Sequence, residues 1–141
     1  MTNDFQFQLY RDMALSLNCQ KYKGHIIPAK PLVLISICNA IALGLVKNNR
    51  IPIEIIENQY RSLQAKYNVG TPFNYPLYFL ETEPFYHLRW KDGKIQTKAP
   101  SSAMLRKNID YAYLDNALWD ILQDQETRDL FRKSIEDYYL N

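Results

Sequence analysis

With 141 residues, 47% of them hydrophobic and 23% charged, the chain is sized for a single domain that needs neither metal nor disulfides to hold it together. The net charge of +2 hides an uneven distribution: residues 1–107 carry fourteen Lys and Arg against seven acids (+7), and residues 108–141 carry three against eight (−5). That pattern fits a polyanion-binding face on the first part, or two solvated surfaces of opposite sign that partly neutralise each other.

In chain order, Asn3 or Asp4 can cap a first helix in which Phe5, Leu9, Met13 and Leu17 recur every four residues, an amphipathic stripe reaching about Asn18. A basic loop comes next, with Lys21, Lys23 and Lys30 and no acid, and an isolated His25 for which nothing nearby supplies a metal or catalytic partner. From Leu32 to Val46 only Ser36 and Asn39 interrupt an apolar run. A helix that is apolar on every side must be covered on every side, and the run is too short to cross a membrane. The spacing therefore predicts a buried central helix over 31–44, with Pro31 in its first turn and Gly44 at its C-terminal end. Cys38 falls inside it as a small core residue. With Cys19 as the other cysteine and no signal peptide at the N-terminus, a reduced, cytoplasmic setting is expected.

Ile56, Tyr60, Leu63 and Tyr67 mark a third helix over about 53–67, ended by Asn68 and Gly70. The next twenty residues, TPFNYPLYFLETEPFYHLRW, change character: three prolines forbid a long helix and favour short turns and a strand. Phe85 to Trp90, then Asp92-Gly93, then Ile95 and Thr97 read as an antiparallel β-hairpin over about 85–97 turned by Asp-Gly. The hairpin and the segment after it are basic, with Arg89, Lys91, Lys94, Arg106 and Lys107 as candidate phosphate contacts beside Tyr86 and Trp90; lysines also serve simply to keep a sheet edge soluble. Three capped helices close the chain: one after Ser101 or Ser102, one after Asp115 with Leu118 and Leu122, and one after Asp124 with Phe131, Ile135 and Tyr138. The fold class expected is α+β, predominantly α-helical, with helices packed around the 31–44 helix and one small hairpin.

Catalytic constellations and cofactor motifs are missing. His25 and His87 stand far apart without a zinc-binding cysteine pair, Asp92-Gly93-Lys94 belongs to a turn, and neither a glycine-rich phosphate loop nor a Gly-x-Ser-x-Gly elbow occurs. The chain does not read as an enzyme, and no cofactor is expected.

The residues do carry a resemblance. PAKPLVL at 28–34, YPLYFL at 75–80, EPFYHL at 83–88, SAMLR at 102–106 and IDYAYLDNALWDILQD at 109–124, in that order, resemble the domain that precedes the HNH nuclease in many bacterial restriction endonucleases, and look like the sulfur-binding domain of phosphorothioation-dependent McrA-type enzymes. The resemblance implies a module that binds double-stranded DNA, phosphorothioated or otherwise modified, without a nuclease of its own, and makes a separate nuclease subunit a candidate partner. A phosphorothioate replaces a non-bridging oxygen by a larger, more polarisable and weakly hydrated sulfur, which an apolar cup can favour. Carried over, the cup comprises Ala29, Lys30, Tyr75 and Pro76, with Phe79 beside them and Lys30 and Arg106 at the backbone; the excess of basic residues, apart from the resemblance, adds Lys21, Lys23, Arg89, Lys91, Lys94 and Lys107 as further candidate DNA contacts. The family commonly has His where Ala29 stands and a small residue where Phe79 stands, so a phenyl ring takes space that a sulfur would use. The competing reading is a protein-interaction domain that uses the aromatic 73–90 segment.

Overall fold

The computed structural model describes residues 4–140, and the architecture is that of a predominantly helical α+β domain. Its elements are α1 (Asp4–Ala14), the two-residue strands β1 (Lys21–Tyr22) and β2 (His25–Ile26), α2 (Ala29–Ala42), α3 (Ile53–Tyr67), α4 (Asn74–Phe79), β3 (Tyr86–Trp90), α5 (Ser102–Asn108), β4 (Ile109–Leu114), α6 (Asn116–Ile121) and α7 (Gln125–Tyr139). A short 3-10 turn, Leu80–Thr82, continues α4.

The central helix is where its sequence places it, shifted two residues toward the N-terminus. Leu32, Val33, Leu34, Ile35, Ile37, Cys38 and Ala40 are all buried, covered by α3, α7 and α4. The two polar interruptions do little harm. Ser36 Oγ donates 2.6 Å to the Leu32 carbonyl, which removes the cost of burying a hydroxyl, and Asn39 lies on the less covered side. At the C-terminus, Gly44 adopts φ +73°, and the Gly44 and Leu45 amides return to the Ile41 and Ala40 carbonyls in a Schellman closure.

Helix α3 keeps the expected boundaries and ends at Asn68 in the left-handed region. Tyr60 Oη and Gln64 Nε2 both donate to the Thr71 carbonyl at 2.8 Å, tying the segment after the helix back onto it. In α4, Pro76 is the third residue, as Pro31 is in α2; the missing amide is harmless in a first turn. Within 71–82, where the prolines predict short turns, a six-residue helix forms.

Several expectations need correction. The 85–97 hairpin does not exist: β3 pairs antiparallel with β4, with His87 opposite Tyr113 and Arg89 opposite Tyr111. A type I′ turn requires left-handed backbone at both central residues, and only Gly93 has it. Ile95 and Thr97 are instead tethered to α4, since Tyr78 Oη donates to the Ile95 carbonyl and accepts from the Thr97 amide. The Ile-Asp-Tyr-Ala-Tyr-Leu run of β4 is richer in strand-forming residues and takes the pairing. A two-residue turn with both positive φ values, Lys23 (51°) and Gly24 (80°), does occur, within the segment expected to be a basic loop, where it joins β1 to β2.

The expected stripe of the first helix holds only in its second half, where Met13 packs against the core and Leu17 is buried. Phe5 and Leu9 are exposed, whereas Tyr10 and Ala14 are buried. Tyr10 Oη donates 3.0 Å to Asp115 Oδ2, while Ala14 allows close approach and its carbonyl accepts from Tyr139 Oη at 2.8 Å. Polar anchors at both ends decide which face turns inward. The alternative cap Asn3 lies outside the described residues, and α1 stops at Ala14 rather than near Asn18. In α7 the expected stripe is buried at Phe131 and Ile135, while Tyr138 is exposed.

Of the expected caps, Ser101 and Asp124 accept from the amides of Met104 and Thr127. Asp115 holds the cap position of α6, yet its carboxylate serves Tyr10 and His87 instead, with His87 Nε2 2.7 Å from Oδ1.

Both edges of the β3–β4 sheet are occupied. Glu81 accepts from the Leu88 amide (2.8 Å) and from Trp90 Nε1 (3.1 Å), and Ile51 exchanges two backbone hydrogen bonds with Ala112 on the other side.

Because Leu32 is fully buried, Leu32→Ala should lower unfolding free energy by about 2–5 kcal/mol. Leu43→Ala, just past the same helix and 65% exposed, should change it by less than about 0.5 kcal/mol. Chemical denaturation of the two variants side by side checks the inward face of α2.

Candidate nucleic-acid interface

The first turns of α2 and α4 meet at the surface, and a cleft of about 370 Å³ opens between them. Ala29 and Lys30 of α2 line it together with Tyr75, Pro76 and Phe79 of α4, and Asn18, Cys19, Gln20, Ile27, Thr71 and Thr82 complete the wall. All five cup residues expected from the sequence therefore share one cavity. Thr71 is held at the rim by the hydrogen bonds from Tyr60 and Gln64.

Seven aromatic residues lie between Phe73 and Trp90 besides His87, and their burial discriminates sharply. Phe73, Tyr78, Phe85, Tyr86 and Trp90 are buried; Tyr75, 39% exposed, and the half-buried Phe79 are the two that reach the surface, and both line the cleft. The segment therefore presents no exposed aromatic band for a protein partner. Most of it is core.

Lys30 is recessed. Its Nζ donates 2.7 Å to the Asn18 carbonyl, lies 3.4 Å from Thr82 Oγ1 and is 3.9 Å from Glu83 Oε2. Burial holds its ammonium below the ordinary lysine value, while Glu83 pulls the other way. The N-terminal turn of α2, with its partial positive charge, adds to the same site. Cys19, half-buried in the wall, has its thiol pushed up to about 11 by loss of water, with Lys30 opposing the shift.

A broader, more open groove lies beside the cleft and shares Ile27 and Thr71 with it; Tyr22, Lys23 and His25 stand on its hairpin side. Lys21 and Lys23 are exposed there, and among the described residues no carboxylate pairs with either. Lys23 Nζ sits 5.4 Å from the Tyr22 ring centre. Across α4 from the cleft, Arg106 is held by Glu57 (2.7 Å) and Ser102, and Glu57 also pairs with Arg61 at 2.7 Å. Arg106 keeps half its side chain in solvent.

Lys91 and Lys94 come after β3 in a loop rather than on a hairpin: Lys91 is 3.9 Å from Asp110, and Lys94 pairs with Glu81 at 3.2 Å and lies over the Tyr78 ring. Arg89 and Lys107 are exposed, with no carboxylate partner among the described residues. The five expected cup residues share the cleft and Lys23 borders the adjoining groove, Lys21 lines neither, and Arg89, Lys91, Lys94, Arg106 and Lys107 sit on β3, its adjoining loop and α5.

Sequence reasoning missed Asn18, Cys19, Gln20, Ile27, Thr71 and Thr82 as cleft walls. They belong to connections whose position is set by distant hydrogen bonds, and the nearest signal was their spacing to Lys30 and Pro76. Among the described residues, no three His, Cys, Asp or Glu come together to hold a metal ion, and no helix is long and apolar enough to cross a membrane.

No family model and no curated protein matches the chain. Solved structures do. The sulfur-binding domain of ScoMcrA complexed with phosphorothioated DNA superposes with a TM-score of 0.74 at 13% identity, covering 92% of this chain and 86% of that one. The sulfur-binding domain of SprMcrA, also complexed with phosphorothioated DNA, gives 0.74 at 13%, covering 96% and 86%. A ScoMcrA structure of the sulfur-binding and SRA domains gives 0.73 at 12% over 90% of this chain, and the Type IV phosphorothioation-dependent restriction endonuclease ScoMcrA gives 0.70 at 14% over 92%. The chain spans 41% and 29% of those two longer chains. The class defined is thus a small helical domain with a surface cleft at two helix starts. Its fold is that of the sulfur-binding domains of McrA-type restriction endonucleases.

The recessed thiol offers a check on the cleft. Alkylation of Cys19, followed by mass spectrometry, should accelerate about tenfold per pH unit from pH 8 to 10 without levelling off, because its thiolate remains a minority below about pH 11. A plateau near pH 9 would mean an open, fully hydrated thiol.

Proposed function

We propose that this chain is a DNA-reading module that seats a backbone phosphorothioate of double-stranded DNA in the α2–α4 cleft. The observation that carries the reading is the convergence of Ala29, Lys30, Tyr75, Pro76 and Phe79 in one cavity with the sulfur-binding-domain fold around it. The wall offers methyl, pyrrolidine and ring carbons to the soft sulfur, and Lys30 supplies positive charge behind it. The cleft is roomy. At about 370 Å³ it exceeds by far the roughly 30 Å³ share of one water molecule, so the sugar and phosphate around the sulfur enter with it. Phe79 narrows the cup where relatives of this kind commonly carry a small residue, and the ring sets how deeply the sulfur sits.

The exposed Lys21 and Lys23 extend the positive surface along the adjoining hairpin, and Arg106, Lys107, Arg89, Lys91 and Lys94 form its continuation beyond α4. Sulfur recognition needs no bond-making, and the module has no catalytic step of its own. Cleavage falls to a nuclease outside these residues, in the same polypeptide or in a partner subunit, within a bacterial restriction system in the cytoplasm.

Fluorescence anisotropy with a duplex carrying one phosphorothioate and its unmodified twin tests the reading. Tighter binding to the modified duplex is expected, with a log–log salt slope of about −0.9 per phosphate contacted. Lys21→Ala should weaken both duplexes alike and flatten the slope by about one unit. Phe79→Ala, by deepening the cup, should raise the preference for sulfur, and saturating modified duplex should slow Cys19 alkylation. If neither duplex binds at low salt, the proposal fails.

A further inference from the structure

The tyrosine-rich strand β4 is unused by the cleft. Tyr10, Tyr60, Tyr78, Tyr86 and Tyr139 all commit their hydroxyls to hydrogen bonds that tie elements together. Tyr111 and Tyr113 do not: among the described residues neither hydroxyl has a partner, and both rings stand half-exposed on the outer face of the β3–β4 sheet. They belong to a row of planar groups set at differing angles, with the Tyr111 and Tyr113 rings edge-on to each other at 61°. The Arg50 guanidinium lies 5.7 Å from the Tyr111 ring centre, Tyr111 lies 6.0 Å from Tyr113, and Tyr113 lies 4.9 Å from His87 at 31°.

The row is flanked by cations. Arg89, opposite Tyr111 in the register, is exposed, and neither Arg50 nor Arg89 has a carboxylate partner among the described residues. Two acids lie nearby and are engaged: Asp110 faces Lys91 at 3.9 Å, and Asp115 faces His87 and Tyr10. Both sheet edges are filled, by Glu81 and by Ile51, so a ligand can approach only through the face.

We propose that this face is a second nucleic-acid surface, a stacking platform for the unpaired bases of single-stranded DNA. Aromatic planes attract base faces, which a duplex keeps covered and a single strand exposes, while Arg50 and Arg89 are placed for its phosphates. An acidic peptide would satisfy the arginines and leave the ring row with nothing to stack. The surface is separate from the cleft, since none of these residues lines it, and Arg89 is the cation it shares with the positive surface proposed for the duplex.

The test is anisotropy at low salt with the whole chain and an unmodified, labelled oligothymidylate of about twelve nucleotides, within the usual site size for such surfaces. Binding is expected. Tyr113→Ala should weaken it about 5- to 150-fold, the loss of one base stack, while Tyr113→Phe stays within about twofold and phosphorothioate-duplex binding by Tyr113→Ala is retained. Should Tyr113→Ala melt early, Arg50→Ala, an exposed change, should still weaken the oligonucleotide and flatten its salt slope. The proposal is overturned if the oligonucleotide does not bind, if Tyr113→Phe loses as much as Tyr113→Ala, if Arg50→Ala binds as wild type, or if a polyglutamate peptide displaces the oligonucleotide at equal charge.

Discussion

A helix with no polar face has to be enclosed, and in this chain the enclosure of α2 dictates where everything else goes. Each of its fully buried Leu, Ile and Val side chains is worth about 1.5–3 kcal/mol, so α3, α4 and α7 are drawn onto it from different sides. The helix meets solvent at its C-terminal end, where Ala42 and Leu43 are exposed. Its first turn is enclosed as well, with Ala29 and Pro31 buried and Lys30 recessed, and the cleft opens between that turn and α4.

Local signals were legible and long-range ones were not. The α2 and α3 patterns, the Ser101 and Asp124 caps and the Asn68 stop are written in neighbouring residues, and they appear where expected within two residues. Strand pairing joins residues 19 to 28 positions apart and is a competition: Ile95 to Thr97 had the nearer turn, and Ile109 to Leu114 had the better strand sequence. The stripe on α1 held at Met13 and Leu17 but not at Phe5 and Leu9 for a similar reason, because Tyr10 and Ala14 are anchored by Asp115 and Tyr139, more than a hundred residues away.

Ala29, Lys30, Tyr75, Pro76 and Phe79, which line one cleft, were singled out through resemblance and not through composition. What the sequence could not separate was core aromatic from accessible aromatic within residues 73–90, since both look alike in a proline-rich segment. Packing separates them, and the accessible pair turns out to border the same cavity as Lys30. Recessed lysines of this kind are costly unless their protons find acceptors; the Asn18 carbonyl, Thr82 and Glu83 provide them and thereby fix the connection between α1 and α2 against the end of α4.

The closure of both sheet borders has a consequence for assembly. A two-stranded ribbon with free amides and carbonyls along one side is a template on which further copies can add, strand by strand, into a fibre. Here Glu81 engages one border with its carboxylate and a side-chain bond to Trp90, and Ile51 closes the other with backbone. Copies crowded at high local concentration can therefore lie shoulder to shoulder without knitting their sheets together.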